Sequence, residues 1–123
     1  MKGTWQQLLK VGEDEVRRTL ASLPVALREP AALLPVSFEA VPNDALLADD
    51  PDPELLGLFV GPPRAEPESS PLPPQILLFL ENLWDFAGED EGIFREEVRT
   101  TYLHELGHYL GLEEVDLEER GLD

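Results

Sequence analysis

Apolar positions near the start of the chain recur at helical spacing: Trp5, Leu8, Leu9, Gly12, Val16, Leu20 and Leu23 fall on one face of a 3.6-residue repeat. Thr4, with Gln7 three residues on, has the form of a capping box, and Pro24 ends the pattern. An amphipathic helix is therefore expected over about residues 4–22, with Glu13/Arg17 and Asp14/Arg18 paired four apart on its exposed face. Residues 24–34 are punctuated by proline, and then the period changes. Val36-Ser37-Phe38-Glu39-Ala40-Val41 alternates apolar and polar, the mark of a half-buried strand. Residues 56–60 form a second short strand pattern, and residues 75–80 a third that is apolar on both faces. Between these strands, the acidic stretch 42–54 and the proline-rich stretch 61–74 read as loops.

Helical spacing returns from about Ile93, where Phe94, Val98, Tyr102, Leu106 and Leu110 trace one apolar stripe. The acids of Gly88-Glu89-Asp90-Glu91-Gly92 suit the start of that helix, and Gly111 suits its left-handed stop. Helix, three strands, helix and a short tail predict an α+β domain, with a small, mainly antiparallel sheet against an N-terminal and a C-terminal helix.

The 123-residue length fits a single domain, residues 1–123. Composition then narrows the function classes. Twenty-six acidic against nine basic residues give a formal charge of −17, which repels nucleic acid and anionic membrane surfaces and attracts cationic peptides and divalent metals. There is no cysteine, which excludes disulfides and thiolate metal sites. Residues 1–7 show no apolar leader pattern, and no apolar run approaches the length of a membrane span, so a cytoplasmic, soluble protein is expected. The carboxylates of residues 49–54 lack the spacing and glycine of a calcium loop and are read as a solvated loop.

The chain's two histidines both fall in His104-Glu105-Leu106-Gly107-His108-Tyr109-Leu110-Gly111-Leu112-Glu113-Glu114, an H-E-x-x-H-x-x-G-x-x-E pattern. On a helix, His104 and His108 are one turn apart on the same face, so their imidazoles can converge on one zinc ion with the Glu105 carboxylate beside its open position. A catalytic zinc takes three protein ligands and a water. Glu105 would then act as general base on the zinc-bound water in peptide hydrolysis. The third ligand must come from beyond the helix: Glu114 ranks first by its spacing after Gly111, Asp116 second, with Glu113 a further rival. Tyr109 and Tyr102 are the candidate oxyanion donors, with core packing the commoner role for both. Arg99 reads as a surface partner of Glu96 or Glu97.

The sequence resembles the small bacterial zincin-like metallopeptidases, minimal zincins first catalogued as a domain of unknown function. The likeness spans nearly the whole chain: the first helix ending in Leu23-Pro24, Leu56-Gly57-Leu58-Phe59, Leu72-Pro73-Pro74-Gln75-Ile76, Arg95-Glu96-Glu97-Val98-Arg99, the motif itself, and Leu117 and Gly121 after it. Members typically carry Asp where this chain has Glu114. The resemblance implies a zincin-like fold of small twisted sheet, backing helix and active-site helix, and a zinc peptidase without an assigned substrate. The motif also looks like that of metzincins, but with Met1 as the only methionine there is no residue for a Met-turn.

Two functions are carried forward. The first is a zinc-dependent metallopeptidase acting on peptides or unfolded protein, neutral or basic given the 14 acids and three bases from Glu81 onward. The second is a metal-binding domain with little catalysis that serves or requires a protein partner. A third-strand edge, if exposed, would offer residues 75–80 to an extended peptide.

Overall fold

A computed structural model of the chain describes residues 1–49, 51–112 and 116. Helix α1 (Trp5–Ser22) starts where the capping box places it, with the Thr4 hydroxyl accepting from Gln7 N–H and the Gln7 side chain accepting from Thr4 N–H. Helix α2 (Val25–Ala32) follows at once, then strand β1 (Val36–Glu39), helix α3 (Asp44–Asp49), strands β2 (Gly57–Val60) and β3 (Gln75–Phe79), helix α4 (Leu80–Phe86) and helix α5 (Glu91–Leu110).

The α+β class and both terminal helices are as expected, but the sheet is mixed. Its strand order is β1-β3-β2, with β1 parallel and β2 antiparallel to β3. The third strand is thus central, not an edge, which explains its two apolar faces and removes residues 75–80 as a docking edge. Ile76, Leu78 and Phe79 are wholly buried. β2 is an edge strand, with Gly57 opposite Leu78 and Val60 opposite Gln75.

Helix α5 lies against β2 and β3, while α1 and α4 pack against α5. Phe94, Val98, Tyr102 and Leu106 form the buried stripe of α5, joined by Leu103. Trp84 of α4 meets Phe94 edge to face at 5.6 Å between ring centres. On the surface of this contact, Arg95 Nη1 bonds Asp14 at 3.2 Å and Glu15 at 3.3 Å, tying α5 to α1. Asp14 also pairs with Arg18 at 4.0 Å.

Three helices stand where the sequence pattern gave loops or a connection. α3 is capped by the side chain of Asn43, which accepts from Leu46 N–H at 2.9 Å. α2 keeps Pro30 near its end, where the proline costs a single helical hydrogen bond. α4 continues directly from β3, and the side chain of Asn82 reaches back to the carbonyls of Pro53 (2.8 Å) and Leu55 (3.0 Å). That contact fixes the approach to β2 against α4.

Candidate metal centre

Asp90 caps α5, accepting from Ile93 N–H at 2.9 Å, and the helix runs 20 residues to Gly111. Gly111 takes φ 73°, a left-handed conformation that glycine adopts without strain, and Leu112 N–H closes back on the Gly107 carbonyl at 2.8 Å. The last full turns of this helix therefore have a defined end just past the two histidines.

His104 and His108 project from the exposed side of α5, with Nε2 atoms 3.3 Å apart and rings crossing at 88°. A tetrahedral ion with Zn–N bonds of about 2.0–2.1 Å needs its ligand nitrogens about 3.3–3.4 Å apart. The pair already has that edge length. Both imidazoles are exposed, so a metal could reach them from solvent.

Glu105 differs from its neighbours in burial. It is only 7% exposed, yet its Oε1 lies 4.0 Å from His108 Nε2 and makes no hydrogen bond to any described residue. Neither oxygen is wholly enclosed, so the carboxylate is sunk into the protein but open on one side. Among the described residues, His104, Glu105 and His108 form the group that could hold a metal, their ligand atoms all within 4.8 Å of one another.

The proposed third ligand is not brought into view. Glu114 and its rival Glu113 lie outside the described residues, as do Leu117 and Gly121. Asp116 is helical and half-buried, but it is not part of the metal-competent group. Tyr102 is 1% exposed in the core, where burial pushes its phenol up to about 12. Tyr109 is half-buried against Phe59, their ring centres 5.7 Å apart. Packing is thus the observed role of both rings. Arg99 forms no ion pair with Glu96 or Glu97, contrary to the pattern reading; the paired arginine of this helix is Arg95, one turn earlier.

Beside the motif lies a cleft of about 630 Å³ between α5, β2 and the end of α4. Its position depends on Gly57. A Cβ added there would stand 2.6 Å from Thr101 Cγ2 and 3.2 Å from the Leu77 carbonyl, so only glycine lets β2 approach α5 this closely. The cleft carries Asp52, Glu54 and Glu97 as well as His104 and Glu105. Sequence reading treated the first two as part of a solvated loop, since nothing in their spacing indicates that α4 holds them beside α5. On the other side of the motif, the proline-rich stretch docks on the same helix: Arg64 N–H donates to the Tyr109 carbonyl at 2.8 Å.

A family model described as zincin-like metallopeptidase matches residues 31–122. A comparison with curated proteins finds no match. The matched span includes all three strands, the histidine pair and the cleft wall. On that match the chain belongs to the zincin-like metallopeptidase family.

Proposed function

We propose that the protein is a zinc-dependent peptidase, with His104 and His108 as metal ligands, Glu105 as general base and Glu114 as third ligand. The observation that carries this reading is the 3.3 Å separation of the two Nε2 atoms, the edge that a tetrahedral zinc requires. The donor set also fits: neutral imidazoles and carboxylates are ordinary zinc ligands, and no thiolate is needed. Zinc, when bound, would supply Lewis acidity, polarising a peptide carbonyl and bringing a coordinated water to a pKa of about 7.

The protein's own part follows from Glu105. Its oxygen lies 4.0 Å from His108 Nε2, longer than the tetrahedral edge, so the carboxylate stands beside the pair and not within it. From there it can accept a proton from a water on the open side and deliver it to the departing amine. The rest of the side chain is buried, so the carboxylate meets solvent only on that open side. Gly57 and Thr101 set how near β2 comes to the reacting centre.

One observation favours the second reading, a metal-binding domain that needs a partner: the His108 side chain is 56% exposed, so the described residues leave the histidine pair open to solvent. Glu105 supports the peptidase instead, because a carboxylate beside the histidine pair and open on one side is the base that hydrolysis needs and that metal binding alone does not. Zinc analysis with a peptide-cleavage assay of Glu105→Gln tests it. Zinc retained with cleavage lost supports the peptidase; equal cleavage by variant and parent would refute the role of Glu105.

A further inference from the structure

The cleft beside the motif carries four carboxylates among apolar and neutral residues. Asp52, Glu54, Glu97 and Glu105 line it, and among the described residues no lysine or arginine does. None of Asp52, Glu54 and Glu97 is ion-paired to a described cation, although α1 shows that this chain pairs its acids where cations are near. Asp52 and Glu54 are exposed and Glu97 half-buried, so their charges face the cleft and solvent. Asn82 holds the backbone of Pro53 and Leu55, which fixes this acidic end in place.

Acidic residues alone would be a solvated surface. Here a second feature points to a ligand: Glu105, more than nine-tenths buried, 4.0 Å from His108 Nε2 and without a hydrogen-bond partner among the described residues, opens into the same cleft. The cleft therefore joins the candidate reacting centre to a cation-seeking end. Its apolar walls, Leu55, Leu56, Leu58 and the 64%-exposed ring of Phe86, suit the methylene stem of a long basic side chain.

The distance between the two ends sets a register. Glu97 and His104 are seven residues apart on α5, about 10 Å along the axis at 1.5 Å per residue. An extended peptide advances about 3.3 Å per residue, so about three residues span that distance. We propose that this cleft is a specificity subsite for lysine or arginine, placed about three residues to one side of the scissile bond, with Glu54, Glu97 and Asp52 receiving the cationic head. This rests on the peptidase reading for the position of the bond, though not for the binding of the cation.

Two measurements separate the proposal from that reading. The first is cleavage of a mixed peptide library by the zinc-loaded full-length protein. Expected is enrichment of lysine and arginine two to four residues from the cut on one side, reversed toward aspartate and glutamate in Glu54→Lys/Glu97→Lys. Cleavage with no basic preference, or with a preference unchanged in the charge-reversed protein, would overturn it. The second is fluorescence anisotropy of labelled peptides differing only by lysine or glutamine, on the metal-free protein and on zinc-loaded Glu105→Gln. The lysine peptide should bind about tenfold tighter at low salt, with most of the gain lost in Glu54→Gln/Glu97→Gln. Equal affinity for the two peptides would overturn the subsite. Preferential binding without any cleavage would sustain it and count against the peptidase instead.

Discussion

Gly57 and Thr101 are in such close contact that β2 and α5 leave no room for a methyl group between them: an added Cβ would lie 2.6 Å from Thr101 Cγ2. The nearby Leu77 carbonyl, at 3.2 Å from that position, blocks relief toward the sheet. This contact holds the edge strand against the helix just one turn before His104. It links the packing of the sheet to the width of the cleft.

Gly57→Ala should therefore displace β2 from α5 and destabilise the fold by about 1–3 kcal/mol, as overpacking does. Cleavage should fall further than stability requires, since the cleft wall moves. Denaturant unfolding and kcat/KM measured on the same preparations check this. Gly57→Ala/Thr101→Ser, which removes the clashing methyl, should recover much of both losses.

Tyr102 gives the fold an alkaline weakness. Its phenol titrates near 10 when unfolded and is pushed up to about 12 by burial in the native protein. Between those values the unfolded state releases a proton that the folded state keeps. The contribution is thus fully present below pH 10 and lost as pH rises through 12, at about 1.4 kcal/mol per pH unit. Unfolding free energy measured from pH 9 to 12 should show this slope, and Tyr102→Phe should lack it while matching the parent near neutrality.

The elements with the longest patterns were the ones legible in the sequence. The α1 capping box, the stripe of α5 and the stop at Gly111 all stand where local chemistry places them. The shorter helices were hidden for separate reasons. α4 has only seven residues, and its N-cap is Phe79, which offers no capping side chain. α2 carries Pro30, which reads as a breaker although it costs little near a helix end. α3 had a usable signal, Asn43 followed by Asp44 in the first turn, obscured by the surrounding acids and prolines. The mixed sheet depends on pairing β1 with β3 across about 40 residues, and no local pattern encodes that.

Much of the site was legible for the same reason: His104, Glu105 and His108 sit on one helix, where spacing alone fixes their relation. The burial of Glu105 was not, because it depends on what packs around α5. Nor was the acidic cleft, which joins residues 52–58, 86 and 97–105 through tertiary contacts.

Metal binding should be read in stability. With zinc at about 100 times its Kd, folding should gain about 2.7 kcal/mol, and a chelator should remove the gain. His104→Ala and His108→Ala should each abolish the zinc-dependent rise in Tm. Glu114→Ala should weaken zinc affinity about 100-fold or more, whereas Asp116→Ala and Glu113→Ala should change it by less than about tenfold. Isothermal titration of the three variants decides the third ligand.

The central claim is that the histidine pair and Glu105 form a working hydrolytic centre. The most direct measurement is zinc content and peptide turnover of Glu105→Gln beside the parent, in one preparation each. The account predicts near-stoichiometric zinc in both proteins and turnover lowered at least about 100-fold in the variant, in line with loss of a general base. Zinc-loaded parent protein that cleaves no peptide, or a variant that cleaves as fast as the parent, would contradict it.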